Sequence, residues 1–95
     1  MSTETYKADG FDDAIVGIDM TTMPFRIIYQ RSKMITILME QDDMTEEDAI
    51  DFLAYNTWYD HGDGYPRFVE LMDKEQAFEE LDHFYEALGG TGDTD

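Results

Sequence analysis

EQDDMTEEDAIDFLAYNTWY, residues 40–59, is the stretch whose reading decides the fold. Its first twelve positions carry seven carboxylates (Glu40, Asp42, Asp43, Glu46, Glu47, Asp48, Asp51) and no base, and Phe52, Leu53, Tyr55, Trp58 and Tyr59 follow directly. Thr45 stands where a helix N-cap belongs, its hydroxyl free to accept from an orphan amide of the first turn. Asp48 takes the third helical position in a short form of the capping box. Glu46, Glu47 and Asp48 fill the first turn, where the helix macrodipole stabilises negative charge by about 0.3–1 kcal/mol each. Ala49, Phe52, Leu53 and Asn56 recur at the spacing of one core-facing stripe, with Asp51 left outside. Asp42, Asp43 and Met44 form the connection before this helix.

Upstream, KMITILMEQ (33–41) reads as a helix capped by Ser32. Met34, Ile35, Ile37, Leu38 and Met39 cover most of its circumference, which predicts burial on more than one side. The short link predicts that the two helices pack as an antiparallel pair. DAIVGIDM (13–20) alternates, with Ala14, Val16, Ile18 and Met20 on the face expected to be buried. After a turn ending at Pro24, FRIIYQ (25–30) is a second strand, so the two make an antiparallel hairpin. Downstream, Asp60-His61-Gly62-Asp63-Gly64 breaks the helix, and PRFVELM (66–72) is a third strand. Asp73 or Lys74 opens a last helix running through Leu88, and Gly89-Gly90 stops it. Its apolar positions Phe78, Leu81, Tyr85 and Leu88 make one stripe, and Glu75, Glu79, Asp82 and Glu86 another. The expected fold is α+β: one domain over 1–95 with flexible ends at 1–10 and 89–95. A small three-stranded antiparallel sheet carries helices on one face, in the order β-β-α-α-β-α.

Charge narrows the function classes. The net charge is −17, from 23 acids against 6 bases, and residues 40–95 hold all but one unit of the excess. Such a field repels free nucleic acid and anionic membrane and favours a basic protein surface. Halophilic adaptation would spread acid over every surface, which residues 1–39 do not show. A small domain stays soluble with a net charge of magnitude about 2–8, so solubility alone does not require this much. The chain has no cysteine, which excludes disulfides and thiolate chemistry and fits a reducing cytoplasm. MSTETYKADG at the N-terminus has no apolar core of a signal peptide, and no apolar run is long enough to span a membrane.

Several landmarks together resemble a group of small uncharacterised proteins of tailed bacteriophages. They are Gly10-Phe11-Asp12-Asp13-Ala14-Ile15-Val16-Gly17, a strand ending near Tyr29, Ser32-Lys33 opening a helix, the run ILMEQDDMTEEDAIDFLAYNT, and Pro66-Arg67-Phe68-Val69. The similarity covers about residues 9–70, and the helical run is its specific part. It implies a phage origin and a host-cell setting, with no assigned activity. The chain departs from the group at Trp58–Tyr65, which is unusually aromatic and acidic, and in the helix added beyond residue 74.

No residue set reads as catalytic. His61 and His83 fall in different elements, and acids in a solvated run lack the burial that tunes a general acid. Asp60-His61-Gly62-Asp63-Gly64 invites a calcium reading, but glycines fall at ligand positions of an EF-hand register and Tyr65 at the position that needs glycine. No phosphate-cradling motif and no basic stripe occurs. No cofactor and no metal is therefore expected, and the chain is not expected to be an enzyme.

What remains is the geometry of charge. At about 1.5 Å rise per residue, Glu75, Glu79, Asp82 and Glu86 stand about 4.5–6 Å apart along the last helix. DNA places one phosphate per about 3.4 Å along each strand, a spacing of the same order. With Asp42, Asp43, Glu46, Glu47 and Asp51 on the same side, two rows of charge would face a groove built for a duplex. Trp58 is the aromatic anchor expected at the rim, its alternative place being the core. The sequence thus points to an anti-defence inhibitor, in the host cytoplasm, of a basic host protein such as a restriction, CRISPR-type or repair nuclease. The rival is a structural protein that self-associates into a homodimer through Trp58, Tyr59 and the strand edge. A third reading places a divalent cation at Asp60 and Asp63.

Overall fold

A computed structural model describes residues 4–87. The elements are a 3-10 turn Asp12–Ala14, β1 Ile15–Asp19, β2 Arg26–Gln30, α1 Arg31–Gln41, α2 Glu46–Asn56, β3 Arg67–Val69 and α3 Lys74–Ala87. Their order is the expected one. No helix among the described residues is long and apolar enough to cross a membrane.

β1 and β2 form the expected antiparallel hairpin, pairing Ile18 with Ile27 and Asp19 with Arg26. The register slips between Ile15 and Gly17, so one extra residue is accommodated in β1. A one-residue slip moves every following side chain to the other face. That is why the alternation fails: Ala14 is buried, whereas Ile18 and Met20 are exposed. The third strand corrects the expected antiparallel sheet. β3 pairs parallel to β2, with Ile28 opposite Arg67, Tyr29 opposite Phe68 and Gln30 opposite Val69, and the sheet order is β1-β2-β3. Between β2 and β3 the chain runs through α1 and α2, and a crossover of that length is what parallel pairing needs. The sheet is therefore mixed, with β2 central.

The core is thin. Ala14, Tyr29, Met34, Leu38, Ala49 and Leu53 are buried together, with Trp58 and Phe68 among the half-buried residues packed on them. α1 packs on β2, on the 3-10 turn and on α2. Thr45 caps α2 as expected, its Oγ1 accepting from the Asp48 amide at 3.1 Å. Ser32 does not cap α1. The helix starts at Arg31, two residues before the point its hydroxyl would place it, and Ser32 instead donates to Glu70 from both its amide and its hydroxyl. The cap thus comes from beyond β3, which no local pattern around Ser32 encodes. On α2, Phe52 and Asn56 stay exposed, because the core takes only the Ala49–Leu53 line.

Two further expectations change. Residues 1–10 were expected to be loose, yet Thr5 Oγ1 donates to Phe25 O (2.7 Å), Tyr6 N to Gly64 O (2.9 Å) and Ala8 N to the Tyr29 hydroxyl (2.8 Å). Tyr6 also stacks on Tyr65 with ring centres 4.4 Å apart. The leader lies so close to Gly64, at φ +81°, that a Cβ there would run into the Glu4 carbonyl oxygen. The second change is α3, which takes no part in the close packing of the other elements and buries no residue. The expectation of helices on one face of the sheet holds for α1 and fails for α3. Leu88 and the expected flexible end at 89–95 lie outside the described residues.

Candidate interaction surface

The acids singled out in the sequence are all exposed. Asp42 and Asp43 occupy the turn between α1 and α2, where Asp43 adopts the left-handed conformation (φ 57°) that aspartate tolerates. Glu46 and Glu47 start α2, and Asp51 follows one turn on. Glu75, Glu79, Asp82 and Glu86 stand on α3. Among the described residues none of these nine is in an ion pair. The ion pairs among the described residues join Lys7 to Asp12, Arg26 to Asp60 and Asp63, and Arg67 to Asp19. The two acidic sets are not brought into one packed unit, since α2 packs on α1 and α3 stands outside that packing.

The apolar stripe expected on α3 is exposed. Phe78, Leu81, Phe84 and Tyr85 are 46–59% exposed. At 100° per residue they fill one arc of the helix, and the four acids fill the arc beside it, about a third of a turn round. A contiguous exposed apolar stripe rimmed by charge marks an interaction surface. Phe84 belongs to that stripe, three residues after Leu81, and the sequence reading missed it although its spacing was readable. α2 repeats the pairing on a smaller scale. Exposed Phe52 and Tyr55 border an open depression of about 740 Å³ with Met44, Asp48 and Asp51.

Trp58 is engaged within its own chain. It is half-buried, its indole N–H donates to Met34 Sδ at 3.5 Å, and the Arg31 guanidinium lies 4.2 Å over its ring. Tyr59 is exposed but stacks on His61 at 3.8 Å, and His61 also lies 5.5 Å from the Tyr65 ring. The His61 Nε2 is 3.1 Å from Thr57 O, and His83 sits exposed on α3.

The cation reading of Asp60 and Asp63 is corrected by Arg26, which both carboxylates face, at 3.3 and 3.9 Å. Asp60 also accepts from the Gly62 amide at 2.9 Å. That bond, and then Arg26, outweigh the opposing effect of burial and hold the Asp60 carboxyl below its usual value. Among the described residues no group of three or more His, Asp or Glu side chains is placed to hold a metal ion. Comparison with protein-family models, curated proteins and solved structures finds no match.

Proposed function

We propose that this chain is a non-enzymatic, phage-encoded interaction protein that binds a basic nucleic-acid-binding protein in the host cytoplasm and inhibits it by DNA-like charge mimicry. A restriction, CRISPR-type or repair nuclease fits that description. The observation that carries the reading is α3: fourteen residues, none buried, with unpaired carboxylates beside four exposed apolar side chains. The carboxylates attract and orient a cationic groove, and the apolar stripe supplies a contact that is desolvated on docking. Asp42, Asp43, Glu46, Glu47 and Asp51 supply a second patch of the same sign. The test is retention of a bacterial binding protein on the immobilised chain at low salt, eluted by a salt gradient and competed by duplex DNA. A bound protein indifferent to both salt and duplex would refute mimicry.

Self-association into a homodimer is the second reading, and the α3 apolar stripe favours it over the expected contact through Trp58 and Tyr59. Salt separates the two by sign. Two copies bring like charges together, so added salt strengthens a homodimer, whereas it weakens docking on a basic partner. Light scattering across a salt series reads the difference.

A further inference from the structure

We propose that the cleft between the end of α2, β3 and the start of α1 binds a small planar organic oxyanion, a flat ring bearing a phosphate or carboxylate. The cleft measures about 520 Å³, within the roughly 300–1,000 Å³ of small-molecule sites. Arg26, Arg31 and Arg67, all the arginines of this acidic chain, line it, together with Trp58, Tyr59 and Phe68.

The topology gathers them. Arg26 opens β2, Arg31 opens α1 directly after β2, and the parallel register sets Arg67 opposite Ile28 on the neighbouring strand. Neutralising carboxylates explains only part of the set. Arg26 faces Asp60 and Asp63, yet it is 8% exposed and its Nε is buried without a partner among the described residues. Arg67 spends its Nε on Asp19 at 2.7 Å and leaves its terminal nitrogens unbonded among the described residues. Among the described residues Arg31 makes no ion pair, in a chain with 23 acids. The nearby Glu70 is committed to Gln30 and Ser32. Arg31 instead stands over Trp58, its guanidinium carbon 4.2 Å from the ring centre. Its guanidinium makes no hydrogen bond among the described residues, which leaves its N–H groups for a bidentate acceptor such as carboxylate or phosphate. Apart from Asp60, whose charge Arg26 meets at 3.3 Å, the rest of the wall is aromatic and apolar, so a bare anion would leave it wet, and a flat ring would cover it.

Trp58 is the chain's one tryptophan, so its indole N–H gives a single resonance at the cleft. The ¹⁵N-labelled chain is titrated at about 0.15 M salt, where charges beyond about 8 Å are screened. The probes are adenosine monophosphate, benzoate, adenosine and inorganic phosphate. The expected result is a saturable indole shift with one or both ringed oxyanions, and little with adenosine or phosphate alone. A shift with only adenosine monophosphate assigns the phosphate class, and one with only benzoate the carboxylate class. Arg31→Gln and, separately, Arg67→Gln weaken that binding about tenfold or more. The proposal is overturned if neither ringed oxyanion shifts the resonance at about 10 mM. It is equally overturned if adenosine acts as strongly as its monophosphate without benzoate acting, or if both variants bind like the parent chain.

Discussion

Glu70 holds α1 to β3, and removing it tests the fold at its least local point. Its Oε1 accepts from the Ser32 amide at 2.9 Å, and its Oε2 from the Ser32 hydroxyl and the Gln30 side chain at 3.0 Å each. Gln30, at the N-cap position of α1, provides no side-chain cap of its own. Glu70→Ala therefore removes an N-cap acceptor, a typical loss of about 1 kcal/mol. It also removes an anion from the positive end of a helix, worth about 0.3–1 kcal/mol. These overlap and the site is exposed, so the expected loss is about 1–2 kcal/mol. At about 4–8 °C per kcal/mol for a domain of this size, the melting temperature falls by roughly 4–16 °C. Far-UV circular dichroism with urea and thermal unfolding at neutral pH measures it. Acid titration supplies the sign. Burial pushes the Glu70 carboxyl up, but the bonds from Gln30 and Ser32 outweigh it and leave it below its ordinary 4.5. A carboxyl lowered on folding stabilises fully above its unfolded value, and that stability is lost as pH falls through the lower folded value. Parent and Glu70→Gln thus converge in acid. A Glu70→Ala melt within about 1 °C of the parent at neutral pH, or a gap that ignores pH, refutes the tertiary cap.

Gly64→Ala puts a Cβ against the Glu4 carbonyl in a left-handed backbone. It should destabilise by about 1–2 kcal/mol and speed hydrogen exchange at the Tyr6 amide, which donates to Gly64 O. Asp19 is held at about 2, against an ordinary 3.8, by the Thr21 hydroxyl, then the Thr21 amide, then Arg67. Its stabilisation of the hairpin is present above 3.8 and lost as pH falls to about 2, so the Thr21 amide resonance should titrate in that window; a midpoint at 3.8 contradicts the geometry. Replacing Leu81 and Phe84 together by Ser should leave stability within about 0.5 kcal/mol, because neither is buried, while it abolishes any α3-mediated dimer. A large loss in urea unfolding would mean that α3 packs on the body.

Signals confined to a few neighbours were legible. Thr45 with Asp48 announced the start of α2, and the turn between two apolar runs announced the β1–β2 hairpin. Exposure of the acids followed from their density. What failed was set at a distance. The parallel placement of β3 depends on where a two-helix crossover returns the chain, and the Ser32 cap was overridden by a carboxylate 38 residues later. Amphipathic spacing on α3 announced a face to be covered, but spacing cannot say whether the cover lies in the same chain. The convergence of the arginines had no sequence signal, because it depends on the β2–β3 register.

The use of the bases explains why the α2 and α3 acids stay unpaired. Arg26, Arg67 and Lys7 serve carboxylates of the hairpin, the leader turn and the loop before β3. Lys74 alone lies on α3, and Phe78, not an acid, occupies the position four residues on. Glu75 with Glu79, and Asp82 with Glu86, are like-charged neighbours that oppose the helix by a few tenths of a kcal/mol per pair. A helix of this length is marginal alone, and no residue of α3 is buried among the described residues. Positive charge beside its acids would relieve the repulsion, and an apolar groove would cover Phe78, Leu81, Phe84 and Tyr85. Both come from one basic, grooved partner, whereas a second copy supplies only the apolar cover. Amides of α3 should therefore exchange quickly in the free chain. They should slow more on binding a basic partner than on self-association at the same salt.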